Sequence, residues 1–76
     1  MFEEKMKEIL ELAHEVGERT SSYVFYSYDS RTKVLMIVTD EGALTISDGR
    51  HLQRQFEKVK SYLEKLITEG NIEKND

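Results

Sequence analysis

The spacing of apolar residues changes twice along the chain, and this change most constrains the fold. Apolar side chains recur every three or four residues from about 3 to 17 and again from about 50 to 68, which predicts two amphipathic helices. Between them lie short runs of β-branched and aromatic residues, typical of strands. These runs are residues 22 to 28, 33 to 39 and 43 to 47.

Polar segments separate the predicted strands. The sequences DSRT at 29 to 32 and DEG at 40 to 42 favour turns, so the strands should form an antiparallel meander. Each helix has one apolar stripe, and both stripes are most simply buried on one face of the sheet. The predicted fold class is α+β, two-layer: a three-stranded antiparallel meander flanked by an N-terminal and a C-terminal helix (αβββα).

Residues 1–76 are expected to form a single domain. Gly17 and Gly70 are predicted to end the two helices, and Asp48 to cap the start of the second. The polar tail, residues 71–76, is expected to fray. A chain of this size has a thin core, with little room for an enclosed cofactor pocket.

The composition excludes several classes of protein. Cysteine is absent, so neither disulfides nor thiolate metal sites are expected, and a cytoplasmic setting fits. No apolar run approaches the length of a membrane span, and the charged N-terminus is unlike a signal peptide. The formal net charge of -4 argues against nonspecific electrostatic binding of nucleic acid and favours basic protein partners.

The lengths of the two loops predict which side of the sheet faces the helices. A four-residue loop at 29 to 32 and a three-residue loop at 40 to 42 would turn one set of strand side chains toward the helices. That set is Tyr23, Phe25, Val34, Met36, Val38, Leu44 and Ile46. The other face would then expose an apolar, tyrosine-containing patch, the kind of surface that often forms interfaces. Its members are Val24, Tyr26, Tyr28, Leu35 and Ile37, beside Thr45 and Ser47.

Two alternatives stay open for this patch. A two-residue loop at Glu41 and Gly42 would instead turn Leu35 and Ile37 toward the helices. A helix on each face of the sheet, or long side chains lying across it, would also cover the patch.

A row of glutamates follows the first predicted helix. Glu4, Glu8, Glu11, Glu15 and Glu18 are spaced four, three, four and three residues apart, so they form one line opposite the apolar stripe. Like charges at these spacings repel. One hypothesis is that these carboxylates imitate phosphates in front of a basic groove; the alternative is an ordinary solvated helix face.

Motifs for catalysis are missing. His14 and His51 belong to no metal-spaced motif, and there is no nucleophile elbow, phosphate-binding loop or dinucleotide fingerprint. The sequence therefore predicts no enzyme, no metal site and no cofactor.

The layout resembles a known group of proteins. It consists of a helix, the strands YVFYSY and KVLMIVT around the turn DSRT, the hairpin DEG, and the closing helix HLQRQFEKVKSYLEKL. In this order of elements, residues 3 to 69 resemble small acidic proteins encoded by phages and prophages of Gram-positive bacteria, some similar to anti-CRISPR inhibitors of RNA-guided nucleases. The resemblance implies acidic side chains occupying a site made for DNA, with Asp40, Glu41 and the glutamate row as candidates.

The leading hypothesis is therefore a non-enzymatic protein-binding module, an inhibitor that occludes a basic nucleic-acid-binding surface. The alternative is a homo-oligomer, a dimer for instance, assembled through the exposed sheet face. A third hypothesis, single-stranded nucleic-acid binding by Tyr26 and Tyr28 with Arg31 and Lys33, conflicts with the overall acidity. The candidate partner-binding residues are Tyr26, Tyr28, Leu35, Ile37, Val24, Glu8, Glu11, Glu15, Asp40 and Glu41.

Overall fold

The computed structural model describes residues 2–74, with the side chains of residues 2–69. Helix α1 spans Phe2–Arg19 and helix α2 spans Leu52–Lys74. Between them, β1 (Val24–Asp29), β2 (Val34–Thr39) and β3 (Gly42–Ser47) form one antiparallel sheet in the order β1-β2-β3. The predicted α+β class and αβββα order are confirmed.

The two helices lie side by side on one face of the sheet. Lys5 Nζ lies 4.5 Å from the centre of the Phe56 ring, and Glu8 Oε2 lies 3.0 Å from Lys60 Nζ. Because these contacts advance in step along both helices, α1 and α2 run in the same direction. The core between helices and sheet consists of Phe2, Ile9, Ala13, Val16, Leu35, Ile37, Ile46, Leu52, Phe56, Val59, Leu63, Leu66 and Ile67.

The loop between β2 and β3 is shorter than expected. Thr39 pairs with Gly42, so only two residues, Asp40 and Glu41, form the turn. The three-residue loop at 40 to 42 is therefore wrong, and the observed loop lies one position earlier than the two-residue alternative. Gly42 has φ 137°, a conformation that glycine adopts at little steric cost.

This one-residue difference reverses the orientation of β2 relative to β3. Ile37 pairs with Leu44, and Leu35 with Ile46, so all four lie on the helix side. The expectation that Leu35 and Ile37 belong to an exposed patch is wrong, because their side chains are 0% and 2% exposed.

The first hairpin keeps the predicted grouping of side chains, although its four-residue loop spans 30 to 33 rather than 29 to 32, which shifts the pairing by two residues. Tyr26 pairs with Ile37 and Tyr28 with Leu35, so the two tyrosines lie on the helix side, as does Val24. The side chains predicted to face the helices from β1 and β2 point away from them instead. These are Phe25, Val34, Met36 and Val38.

Neither glycine predicted to end a helix does so. Gly17 lies inside α1, where an added Cβ would come within 3.2 Å of Val24 Cγ1, so glycine allows α1 to approach β1 closely. The helix ends at Arg19, and the hydroxyl of the next residue, Thr20, donates to the Val16 carbonyl at 2.7 Å and accepts from the Ser22 N–H at 3.0 Å. The hydrogen bonds of Thr20 therefore mark the end of α1, which the sequence had placed at Gly17.

The ends of α2 also differ from the prediction. The helix begins at Leu52, after a turn in which the Leu52 N–H donates to the Gly49 carbonyl at 3.2 Å, so Asp48 lies too far upstream to be its N-cap. At the other end α2 continues through Gly70 to Lys74. Residues 71–74 of the tail expected to fray are helical, and residues 75 and 76 lie outside the described part of the chain.

Candidate functional site

Within the part of the chain that the structure describes, no element covers the face of the sheet turned away from the helices. We call it the open face; its outward positions on the three strands are Phe25, Ser27, Asp29, Val34, Met36, Val38, Ala43, Thr45 and Ser47. Phe25 is 48% exposed, and Tyr23, just before β1, is 56% exposed. The expected exposed apolar surface is therefore present, but its apolar residues on β1 and β2 are those predicted to be inside. On β3, Thr45 and Ser47 face outward as predicted.

No charged side chain interrupts the centre of the open face. Asp29 follows on the same side at the end of β1, but its carboxylate bends into the loop. Asp29 Oδ1 accepts hydrogen bonds from the N–H groups of Arg31, at 2.8 Å, and Thr32, at 3.3 Å. Apart from Asp29 at one end, the open face is thus uncharged in a chain in which 34% of residues are charged.

Tyr26 and Tyr28, which the sequence predicted to contact a partner, lie on the helix side of the sheet, at the edge formed by β1. Tyr26 and Tyr28 are 42% and 40% exposed, and the ring centre of Tyr28 lies 6.3 Å from that of Phe2. Val24 is half-buried against the core. Because these side chains point away from the open face, any stacking of bases on Tyr26 and Tyr28 would take place on the helix side of the sheet.

The central glutamates of α1 line a groove against α2. We call it the acidic groove; it measures about 300 Å³ and is lined by Glu8, Glu11, Leu12, Glu15, Lys60 and Glu64. Lys60 donates to Glu8 at 3.0 Å, and this hydrogen bond, with the attraction between the charges, raises the pKa of Lys60 above its usual value. Four carboxylates thus line the groove with one ammonium group, and Glu15 also lies 3.9 Å from Arg19 Nε, so the groove is negative.

The two acidic residues of the second turn have local structural partners. Asp40 Oδ1 accepts from the Tyr23 N–H at 3.2 Å, across the start of β1. Glu41 Oε1 accepts from the Tyr62 hydroxyl at 3.3 Å, which ties the turn to α2. These bonds give both carboxylates a role in holding the fold together, whatever else they contact.

The open face and the acidic groove lie on opposite sides of the domain. The glutamate row points away from the buried side of α1, and that buried side faces the sheet. A single flat partner surface cannot contact both. The combination expected from the sequence, acidic steering and aromatic affinity toward one partner, therefore requires two separate contacts.

Among the described residues, no group of three or more His, Cys, Asp or Glu side chains could hold a metal ion. Both histidines are exposed. Within the same residues, no helix combines the length and apolar character that crossing a membrane requires. Comparison of the chain with protein-family models, curated proteins and solved structures found no match.

Proposed function

We propose that this protein is a non-enzymatic interaction module that pairs with a second copy of itself through the open face. The observation that supports the proposal is the uncharged, partly apolar surface formed by Phe25, Val34, Met36, Val38 and Ala43. In a small domain, an uncovered apolar surface of this kind is typical of an interface.

A second copy suits this surface because it brings a face whose centre is equally uncharged. A partner with a charged surface would lose hydration of its charges without gaining ion pairs. Two sheets can pack face to face about 10 Å apart, related by a twofold axis. The acidic grooves would then lie on the two outer surfaces, where the repulsion between two chains of charge -4 is weakest.

The size of the open face predicts weak association. Three strands of six residues cover about 14 Å by 20 Å, or roughly 280 Å² in the plane of the sheet. A standard interface buries about 800 Å² per partner. We therefore expect a monomer–dimer equilibrium that depends on concentration rather than an obligate dimer.

Phe25→Glu is expected to abolish this association, because the dimer would bury an unpaired carboxylate in its interface. Tyr26→Glu is the matched control: it changes the next residue of the same strand, with similar exposure, on the opposite side of the sheet. Sedimentation velocity over a roughly hundredfold range of concentration distinguishes the two variants.

The proposal requires that the unaltered protein and Tyr26→Glu associate with rising concentration, while Phe25→Glu stays monomeric. An unaltered protein that remains a monomer throughout the range would overturn it. So would equal loss of association in both variants, since that result would indicate general destabilisation.

The acidic groove favours a second candidate function, binding of a basic partner protein. Its supporting observation is the excess of carboxylates over Lys60 between the helices. An inhibitor of the kind implied by the resemblance to phage-encoded anti-CRISPR proteins would use such a groove to occlude the nucleic-acid-binding surface of its target. Acidic groups would accelerate the encounter with that surface.

The double variant Glu11→Lys, Glu15→Lys is expected to weaken binding of a nona-arginine peptide by about tenfold, since each exposed ion pair is worth up to about 1 kcal/mol. It should also flatten the dependence of the dissociation constant on salt. The control is Glu3→Lys, Asp48→Lys, which makes the same change in net charge in a separate cleft beside Tyr28. Equal weakening by both would show that only net charge matters and would dismiss the groove.

A further inference from the structure

Strand β3 forms a free edge of the sheet, and a groove separates this edge from α2. The groove measures about 340 Å³ and is lined by Ala43, Leu44, Thr45, Gln55, Lys58 and Val59. It differs from the open face, which is a face of the sheet, and from the acidic groove, which lies between the helices. This groove runs along the backbone edge of β3. We call it the edge groove.

The hydrogen bonds at the end of β3 show which backbone groups point into the edge groove. The Ser47 N–H donates to Gln55 Oε1 at 2.8 Å, so it points away from β2. The Asp48 N–H donates to the Lys33 carbonyl at 3.4 Å, so the next residue points toward β2. Because successive residues alternate in an antiparallel strand, the N–H and C=O groups of Ala43 and Thr45 also point outward.

The edge has little of the protection that natural sheet edges usually carry. Strand β3 reads GALTIS, without a charge or a proline, and its register with β2 is continuous over all six residues. Gln55 covers the edge at Ser47 alone, where its side-chain amide takes the place of a neighbouring strand. Ala43 and Thr45 are exposed. Their backbone groups form a template for one more strand.

We propose that the edge groove binds an extended peptide segment of another protein, which adds to the sheet as a fourth strand beside β3. Main-chain hydrogen bonds to Ala43 and Thr45 supply affinity, and the space between β3 and α2 accepts alternate side chains. Lys58 is the charged residue of the six that line the groove. It favours a segment carrying an acidic side chain.

A display library of random peptides about eight residues long is a suitable probe, because the segment is defined by backbone geometry and one charge. Enriched peptides should alternate polar and apolar residues and contain Asp or Glu. Binding should slow amide hydrogen exchange at Ala43 and Thr45, which are open in the free protein, and change little at Leu44 and Ile46, which are already paired.

Two variants test the mechanism. Thr45→Pro removes an outward N–H without removing a bond to β2, so the sheet should persist while peptide binding falls at least about tenfold. Lys58→Glu alters an exposed helical position and should abolish the preference for acidic residues. Circular dichroism and thermal unfolding show whether each variant is folded. If Thr45→Pro is unfolded, Lys58→Glu and the amide exchange pattern still test whether the peptide binds in the edge groove.

Failure to enrich any peptide, or equal binding to Thr45→Pro, would overturn the inference. If Thr45→Pro abolishes self-association while Phe25→Glu does not, the edge pairs with a second copy, which contradicts both this inference and the proposed dimer. If Phe25→Glu alone dissociates the dimer and no peptide binds, the dimer stands and this inference fails.

Discussion

Leu35→Glu is expected to abolish cooperative folding, whereas Met36→Glu should leave a folded protein. Leu35 is fully buried beneath the helices, so a glutamate there would place an unpaired carboxylate in the core at a cost of several kcal/mol. Domains of this size have a total stability of only a few kcal/mol. Met36 lies on the open face, where a carboxylate can reach water, and its replacement should cost about 1 kcal/mol.

Urea unfolding followed by circular dichroism, at concentrations where the protein is monomeric, measures both variants. The two residues are neighbours in β2, so secondary-structure propensity affects both substitutions alike and burial accounts for the difference. A three-residue second turn would place Met36 inside and Leu35 outside. Normal unfolding of Leu35→Glu together with collapse of Met36→Glu would therefore contradict the observed register.

Thr39→Val is expected to lower the free energy of unfolding by about 1 to 3 kcal/mol, although valine has nearly the same shape. Thr39 is buried, and its Oγ1 lies 2.7 Å from the Tyr62 hydroxyl and accepts the Glu41 N–H at 3.2 Å. Valine would leave both groups without this partner. The loss would loosen the second turn and its attachment to α2.

Thr45→Val is the matched control for this prediction, because it makes the same substitution at an exposed position of β3. Its unfolding free energy should change by less than about 0.5 kcal/mol. Chemical denaturation with a common slope measures both variants. If Thr39→Val is as stable as Thr45→Val, the hydroxyl cluster contributes nothing to the fold.

The elements of the fold follow from the sequence because their periods differ. Apolar residues three and four apart require helices at both ends, and turn residues divide the middle into three strands. The inward face of the sheet could not be predicted in the same way. Strand β2 is apolar at every position from Val34 to Val38, so alternation along it does not distinguish its two sides.

The prediction of which sheet face packs against the helices depended on a turn sequence that fits two loop lengths. DEG is compatible with two or three loop residues, and one residue of difference reverses the sheet. Thr39 could have indicated the correct face. Its hydroxyl forms hydrogen bonds on the helix side, and residues two apart in a strand share a face, so Leu35 and Ile37 lie on the helix side as well. The edge groove depends on Gln55 reaching Ser47, a contact between elements that no local pattern predicts.

The common direction of the two helices also polarises the molecule. Peptide dipoles in α1 and α2 add rather than cancel, with their negative poles at the end where both helices finish. Glu15, Glu18 and Glu69 lie near that end beside Arg19, and Arg50 and Arg54 lie at the other end beside Glu3 and Glu4. Side-chain charge therefore reinforces the backbone field only in part. A cationic macromolecule should therefore turn the domain lengthwise as it approaches, meeting the helix C-termini first.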